Sequence, residues 1–233
     1  MGKWSVVLFD YGGTLVDFYR NDQFHQVLRE ALTAARSAVL EAGEEVPPGE
    51  TMWARGLSED YESPDNRVRP LERRLARIFA VERTEVLESA AVAFTRAVTA
   101  VGRTVPGAHS TLTSLTGRGY RLGLVSNTPW GCPGVEWLRD LEDRGLSQFF
   151  ERMVSCSDIG LRKPAPEVYG HVSDLFAVEP GDCLFVGDDP RWDFCGPRSV
   201  GMDALLFDRR GREDRRPSVR TLGEIVPYLE GQL

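Results

Sequence analysis

Five short segments of this chain are rich in apolar and β-branched side chains, and polar or glycine-rich turns separate them from the segments that follow. They lie at residues 4–9, 120–125, 150–155, 183–186 and 203–207. Helical patterns come between them, at 135–144, 166–176 and 222–229. Strands with apolar side chains on both faces need cover on both faces, which a parallel sheet with right-handed helical crossovers supplies. The pattern therefore predicts an α/β fold with a Rossmann-like parallel-sheet core.

Residues 18–103 have a different pattern, with apolar side chains at helical spacing and no convincing strand. The clearest series runs through Phe24, Val27, Leu28, Leu32 and Val39, and similar series follow near residues 71–79 and 86–98. We therefore expect an all-helical domain at 18–103, inserted into a core domain made of residues 1–17 and 104–233.

Composition excludes several classes of function. The net charge of −7 and the isoelectric point near 5.1 argue against a nucleic-acid or anionic-membrane partner, because both partners require a basic face. The four cysteines form no metal-binding pattern and are typical of a reducing compartment. The apolar stretch near the N-terminus is too short for a signal peptide or a membrane span. A cytoplasmic protein is expected, and the sequence gives no signal of its oligomeric state.

Polar side chains follow three of the predicted strands, where ligands bind in sheets of this kind. Each taken alone also has a structural interpretation as a turn residue, a helix cap or a solvated side chain. A lysine stands in the loop GLRKPAP and is one of only two lysines among 28 basic residues. The residues concerned are Asp10, Ser126, Asn127, Lys163, Asp188, Asp189 and Asp193.

Four segments, FDYGGTL, LVSNT, GLRKPAPEVY and VGDDPRWD, occur in that order and each lies beside a strand end. In that order they resemble the four motifs of the haloacid dehalogenase-like (HAD) hydrolase superfamily. The helical insert is similar to the cap domain that such proteins carry between the first and second motifs. The resemblance covers nearly the whole chain.

The resemblance implies an aspartyl nucleophile, Asp10, which attacks phosphorus and splits one difficult displacement into two easier ones. It also implies a Mg²⁺ ion held by Asp10, the backbone carbonyl of Gly12 and Asp188, with Asp193 as an outer ligand. A few protein oxygens completed by water and phosphate suit this hard, octahedral cation.

The remaining implied roles concern the phosphoryl group of a small phosphorylated substrate. The Ser126 hydroxyl and the amide of Asn127 would bind its oxygens, together with the backbone at Gly12 and Gly13. Lys163 would pair with both the carboxylates and the phosphate. Ser126 and Lys163 would thus act in catalysis beside Asp10.

One position departs from the phosphatase pattern DxDGT, in which a second aspartate protonates the leaving group and then activates water. That position is Gly12, which can offer a carbonyl oxygen to a metal but cannot transfer a proton. General acid–base catalysis is typically worth about a hundred- to ten-thousandfold in rate. Another group is therefore expected to replace this acid, or catalysis is impaired.

Three branches of the superfamily with a non-acidic residue at this position do not fit. The 2-haloacid dehalogenases lack the Gly-Asp of the fourth motif, which Gly187 and Asp188 provide here. The phosphonoacetaldehyde hydrolases need a cap lysine for a Schiff base, and residues 18–103 contain no lysine. The cation-pumping ATPases are membrane pumps, and this chain shows no sign of one.

Two hypotheses remain. The protein is either a Mg²⁺-dependent phosphatase-type hydrolase with altered acid–base catalysis, or a pseudo-phosphatase that binds a phosphorylated metabolite. For an enzyme, the missing acid is sought in the cap, in Asp17, in Tyr19 or His25, or in a leaving group of low pKa. Aromatic residues beside the motifs, among them Tyr11, Trp130 and Trp192, either pack the loops or line an opening for a ring-bearing substrate.

Overall fold

The computed structural model describes residues 3–60, 64–212 and 216–232. Its strands are β1 (Val6–Phe9), β2 (Val16–Asp17), β3 (Arg103–Thr104), β4 (Arg121–Ser126), β5 (Arg152–Ser155), β6 (Cys183–Gly187), β7 (Asp203–Phe207) and β8 (Ser218–Val219). Six of them form a parallel sheet in the order β5-β4-β1-β6-β7-β8. Strands β2 and β3 pair separately and antiparallel. The predicted α/β class is confirmed.

The central strand β1 shows why its sequence is continuously apolar. Val7 and Phe9 pack into the apolar cluster on one face of the sheet, whereas Val6 and Leu8 pack into the cluster on the other. All four side chains are fully buried. The five predicted strands are confirmed to within two residues at each end. The two-residue strand β8 was not predicted, because so short a segment carries no periodicity.

The helices are α1 (Phe24–Glu41), α2 (Gly49–Leu57), α3 (Leu71–Phe79), α4 (Thr84–Ala100), α5 (Ala108–Gly117), α6 (Gly134–Asp143), α7 (Cys156–Ile159), α8 (Pro166–Phe176), α9 (Gly196–Arg198) and α10 (Ile225–Leu229). Helix α8 covers one face of the sheet, while α5, α6 and α10 cover the other. The predicted helix at 166–176 is confirmed residue for residue, since Pro166 starts it and its apolar positions are periodic.

Helices α1 to α4 lie between β2 and β3, so the short antiparallel pair stands at both ends of the helical insert. The apolar sides of α1 and α4 face each other through residues such as Leu28, Ala35 and Phe94, which are buried. One apolar cluster joins these helices to a face of the sheet. The domain boundaries at 17/18 and 103/104 stay a prediction. Helix α2 was not predicted, because only Met52 and Gly56 of its nine residues are buried and its apolar period is weak.

Candidate active site

The polar residues predicted to cluster come from three neighbouring strands. Asp10 follows β1, Ser126 ends β4 and Asp188 follows β6, and β1 lies between β4 and β6 in the sheet. The carboxyl ends of parallel strands meet at one edge, so Asp10 and Asp188 line the same cleft, whereas Ser126 is fully buried beside it and is not part of its described lining. The cleft has a volume of about 370 Å³ and includes Asp10, Gly12, Gly13, Asn127, Asp188 and Asp193 in its lining.

Lys163 is a buried cation that binds two carboxylates of the cleft lining and is not itself part of the described lining. Its Nζ donates to Asp10 Oδ1 at 2.7 Å and to Asp193 Oδ1 at 2.7 Å, and the residue is only 1% exposed. Burial disfavours its charge, but the carboxylates of Asp10 and Asp193 outweigh burial and raise the pKa of the ammonium above its usual value. Lys163 is therefore a permanent cation in the middle of an acidic cluster.

Asp188 completes that cluster. Oxygen atoms of Asp10, Asp188 and Asp193 all lie within 4.8 Å of one another. The pKa of Asp193, which is buried, is raised first by burial and then by the charge of Asp10. Asp188 is exposed, and its pKa is raised by partial desolvation in the cleft and by the charges of Asp10 and Asp193. We call Asp10, Lys163, Asp188 and Asp193 the carboxylate floor of the cleft.

Two glycines make this close approach possible. A Cβ at Gly13 would lie 2.5 Å from Asp188 Oδ2, and Gly13 has a φ of +89° that other residues rarely adopt. A Cβ at Gly187 would lie 2.4 Å from the Asp193 carboxyl carbon. Each glycine thus lets a carboxylate lie directly on the backbone. No side chain fits at Gly13 while the floor keeps this arrangement.

Two further residues support the floor. Thr14 is fully buried and donates its hydroxyl to Asp10 Oδ2 at 3.1 Å. Asp189 Oδ1 accepts the backbone N–H groups of Arg191 and Trp192, each at 2.8 Å, and so caps the turn that carries Asp193. Sequence reasoning gave no role to Thr14, although it lies in the FDYGGTL motif. For Asp189, its structural interpretation as a cap is confirmed.

Ser126 and Asn127 both contact other parts of the cleft. Ser126 is fully buried; its hydroxyl donates to the Asn127 carbonyl at 3.0 Å and accepts from Trp137 Nε1 at 2.9 Å. The Asn127 side chain accepts from the Lys163 backbone N–H at 2.9 Å and donates to the Lys163 carbonyl at 3.2 Å. The Asn127 side chain therefore positions the loop of Lys163, a contact across 36 residues of sequence that no local pattern indicates.

An aromatic ring packs against the position of the absent second aspartate. A Cβ at Gly12 would lie 3.4 Å from Cδ2 and 3.6 Å from Cε2 of Phe18. The Phe18 ring is held 4.7 Å from the ring of Trp137 and 5.4 Å from that of Tyr11, measured between centroids. Phe18 is half-buried and lines the cleft. Sequence reasoning missed it, because only the folded chain brings this residue over Gly12.

Phe18 belongs to a larger apolar surface that we call the aromatic wall. Its other members, Tyr19, Trp130, Trp137 and Trp192, also line the cleft. Arg74 of α3 donates to the Trp130 carbonyl at 3.1 Å, so the helical insert holds this part of the wall. Of the aromatic residues picked out from the sequence, Trp130 and Trp192 lie on the wall. Tyr11 is buried behind it and donates its hydroxyl to Asp140 at 2.5 Å.

The three side chains considered as replacement acids lie in different places. Asp17 lines the cleft, but both its oxygens are bound by the Arg209 guanidinium, with Nη1 at 2.6 Å from Oδ2. Tyr19 lies on the aromatic wall, and burial raises its pKa to about 12. His25 is exposed on α1, with its ring 6.1 Å from that of Trp53, and does not contribute to the lining of the described cleft.

Comparison with known proteins identifies relatives of the whole chain. The profile of haloacid dehalogenase-like hydrolases matches residues 4–201. A glyceraldehyde 3-phosphate phosphatase of Methanopyrus kandleri is 29% identical over 214 residues, covering 91% of this chain and 88% of the relative.

Solved structures show the same architecture. A HAD phosphatase from Thermococcus onnurineus superposes with a TM-score of 0.67 at 23% identity, covering 98% of this chain and 99% of the other. A 2-haloacid dehalogenase from Pseudomonas syringae pv. Tomato DC3000 gives 0.69, also at 23% identity and with the same coverage of both chains. Because proteins of two different activities match alike, this likeness establishes the fold alone. Within the described residues, no helix has both the length and the apolar character to cross a bilayer.

Proposed function

The chain belongs to the haloacid dehalogenase-like hydrolase family, and we propose that it hydrolyses a small phosphate monoester through an aspartyl nucleophile, Asp10. The observation that carries this proposal is the carboxylate floor, in which a buried lysine bridges Asp10 and Asp193 beside Asp188. The phosphatase activity of the Methanopyrus kandleri relative supports it. The substrate is a small phosphorylated metabolite of the cytoplasm, and the acidic chain has no nucleic-acid or membrane partner.

The floor fits a divalent cation. Three carboxylates converge within 4.8 Å while Lys163 supplies a single positive charge, so the cluster carries an excess of negative charge. Oxygen ligands of this kind suit Mg²⁺. Asp10, Asp188, Asp193 and the backbone carbonyl of Gly12 would hold the ion. When bound, it would supply positive charge that lets an anionic phosphate approach an anionic nucleophile.

The residues of this chain then have separate tasks. Thr14 and Lys163 hold the Asp10 carboxylate so that one oxygen faces phosphorus, and Lys163 also neutralises a phosphoryl oxygen. The Ser126 hydroxyl rotates its proton from the Asn127 carbonyl to a phosphoryl oxygen. The backbone N–H groups of Asn127 and Gly12 bind the remaining oxygens. The predicted role of Gly13 does not fit, because its N–H donates to the Val16 carbonyl at 2.8 Å. The core domain, residues 1–17 and 104–233, carries all these groups, and the cap domain, residues 18–103, covers them.

A pseudo-phosphatase is the second candidate, because the Phe18 ring lies against Gly12 where an acid would stand. Initial rates of 4-nitrophenyl phosphate hydrolysis in Mg²⁺ and in EDTA distinguish the two, since this leaving group needs little protonation. The enzyme should show Mg²⁺-dependent turnover that Asp10→Asn lowers by at least about a thousandfold. Asp22→Asn is the matched control, because Asp22 is an exposed aspartate paired with Arg20.

The other results have clear meanings. Turnover that is indifferent to Asp10→Asn would remove Asp10 from the mechanism. Absence of turnover, together with tight binding of inorganic phosphate in Mg²⁺, would establish the pseudo-phosphatase. Chloride release from chloroacetate without phosphatase activity would instead make the protein a dehalogenase.

A further inference from the structure

The aromatic wall and the missing acid point to a particular class of substrate. We infer that the cleft acts on phosphate esters whose leaving group departs without a proton, and that it selects aryl phosphates among them. This inference rests on the proposed function, in which Asp10 attacks phosphorus.

The leaving group must face the aromatic wall. In phosphoryl transfer the attacking and leaving oxygens lie roughly in line on opposite sides of phosphorus. Asp10 attacks from the floor, so the leaving oxygen points outward to the part of the cleft lined by Phe18, Trp130 and Trp192. Phe18 stands nearest to Gly12, the position from which a phosphatase of the DxDGT pattern protonates that oxygen.

The described lining of the cleft has no carboxylic acid suited to this proton transfer. The carboxylates of Asp10, Asp188 and Asp193 form the floor beneath the phosphate. Asp189 accepts two backbone N–H groups, and Asp17 is bound on both oxygens by an arginine. The lining also contains no histidine.

Tyr19 is equally unsuitable. Its ring packs against Phe24 and Trp130, with centroids 6.3 Å and 6.5 Å away, and among the described side chains, chain neighbours aside, only that of Phe18 comes within 4 Å of a Cβ at Gly12. The Arg162 guanidinium keeps its proton at any ordinary pH. The leaving oxygen therefore departs as an anion and takes its proton from water afterwards.

Aryl and alkyl phosphate esters differ in how readily their leaving groups depart as anions. A phenol such as the tyrosine side chain has a pKa near 10. An aliphatic alcohol resembles water, whose pKa is 15.7. A phenolate therefore leaves without protonation far more readily than an alkoxide. The absence of general acid catalysis, which is worth about a hundred- to ten-thousandfold in rate, should slow mainly the alkyl esters.

The aromatic wall also recognises a ring. Phe18 and Trp137 lie 4.7 Å apart between centroids, and Trp192 carries the Arg162 guanidinium 5.0 Å from its own ring centre. Phe18 and Trp192 are half-buried, so part of each ring is open to bind a substrate ring through offset or edge contacts, whereas Trp137 is almost fully buried. The low pKa of a phenolic leaving group and the aromatic lining of the cleft thus favour the same substrates.

The reaction balances without any further reagent. An Asp10 oxygen forms a bond to phosphorus while the bond from phosphorus to the aryl oxygen breaks and its electron pair leaves on the phenolate. Water then attacks phosphorus, and the bond to Asp10 breaks to restore the carboxylate. The proton of that water passes to the released phosphate and the solvent.

The test compares kcat/KM for three kinds of ester in Mg²⁺: phenyl phosphates with graded substituents, simple alkyl phosphates, and fluoroalkyl phosphates whose alcohols approach phenols in acidity. We expect alkyl esters to be at least about a hundredfold slower than phenyl esters, with fluoroalkyl esters between them. The solvent deuterium isotope effect on kcat/KM for phenyl esters should be close to one, because no proton moves in that step. Trp192→Leu should raise KM for phenyl esters severalfold and leave fluoroalkyl esters unchanged. Trp4→Leu, at the opposite end of the sheet, should change neither.

Alkyl esters within tenfold of phenyl esters, with turnover that still depends on Asp10, would overturn this inference and leave the proposed function standing. Fluoroalkyl esters as fast as phenyl esters would overturn the selection of rings. Absence of Asp10-dependent turnover on every ester would overturn both the inference and the proposed function.

Discussion

The carboxylate floor and the aromatic wall line the same cleft but are built in opposite ways. On the floor, Lys163 and Asp193 are almost fully buried, and each makes hydrogen bonds that fix its position. On the wall, Phe18, Tyr19 and Trp192 are half-buried rings. Charged groups are buried only when they are paired, whereas half-buried rings leave apolar surface open to a ligand.

This difference separates two aspects of function. The floor contains the aspartate, the lysine and the two further carboxylates that the HAD resemblance implies for the nucleophile and the metal site. The wall replaces the one acidic group that would assist the leaving oxygen. Under the proposed function, the floor would carry out the reaction and the wall would select the leaving group.

The largest effect should come from removing the cation of the floor. Lys163→Met leaves Asp10 and Asp193 buried beside each other without a counter-charge, and breaking such a buried pair costs about 3 kcal/mol of unfolding free energy. Turnover of 4-nitrophenyl phosphate should fall at least about a thousandfold. Urea denaturation and initial rates measure the two effects.

Two variants sharpen this test. Lys3→Met removes the other lysine of the chain, which is exposed and paired with Asp203, and should change neither quantity appreciably. Lys163→Arg keeps the charge, but the broad guanidinium does not fit a site built around a compact ammonium. If Lys163→Arg supported normal turnover, charge alone would suffice and the fit of the floor would be irrelevant.

Restoring an acid beside the wall, at Gly12, should change the preference of the enzyme for its leaving group. The backbone of Gly12 has no positive φ, so it accepts a side chain, but the Phe18 ring meets the new Cβ at 3.4 Å. We expect Gly12→Asp alone to raise kcat/KM for alkyl phosphates only slightly. The double variant Gly12→Asp with Phe18→Ala should gain about a hundredfold on alkyl esters and much less on phenyl esters.

Phe18→Ala alone is the control, because it opens the space without adding an acid. An equal gain from Phe18→Ala and from the double variant would show that space, rather than a proton donor, limits alkyl esters.

Ser126 joins the two regions, since it is proposed to bind phosphate and accepts a hydrogen bond from Trp137. Ser126→Ala should raise KM for 4-nitrophenyl phosphate about tenfold, in keeping with the loss of one hydrogen bond to a charged group. Ser173→Ala is the matched control, a buried serine on α8 that bonds only within its helix among the described contacts. An unchanged KM would confine Ser126 to supporting Trp137.

The smallest effect is the pH dependence of stability. Because the folded-state pKa values of Asp188 and Asp193 are raised above the usual value near 4, the metal-free folded protein binds protons that the unfolded chain has lost. Their contribution to stability is therefore lost as pH rises from about 4 toward neutral. Mg²⁺ would displace these protons, so its stabilisation should grow with pH.

The measurement is the difference in Tm between Mg²⁺ and EDTA across about pH 5 to 8, where an increase of a few degrees is expected. Asp188→Asn should abolish most of this increase. A difference in Tm that stays constant or shrinks as pH rises would contradict the account of the floor.

Much of the floor could be predicted from the sequence, because its residues follow strands whose apolar runs are clear. Asp10 and Asp188 sit directly after β1 and β6, and a parallel sheet brings such positions together. Helix α8 carries a start signal at Pro166, so its bounds were predictable as well.

The wall could be predicted only in part. Trp130 and Trp192 lie beside the motifs and were picked out from the sequence, but the placement of Phe18 depends on contacts between distant parts of the chain. Phe18 lies in the segment between β2 and α1, and only tertiary packing against Trp137 places it over Gly12. The contact of Asn127 with the Lys163 backbone is a similar case. Individual sequence motifs carry no signal for such placements.

The most direct test of the central claim is rapid quenching of the enzyme with ³²P-labelled 4-nitrophenyl phosphate in Mg²⁺. We expect an acid-stable, hydroxylamine-labile label that approaches one per chain, maps to the peptide containing Asp10 and is absent from Asp10→Asn. We also expect nitrophenolate to appear in a burst before steady turnover. Hydrolysis of the phosphorylated Asp10 should be slow, because no carboxylate at position 12 activates the attacking water. Release of phosphate without a labelled protein, or a label that persists in Asp10→Asn, would contradict the central claim.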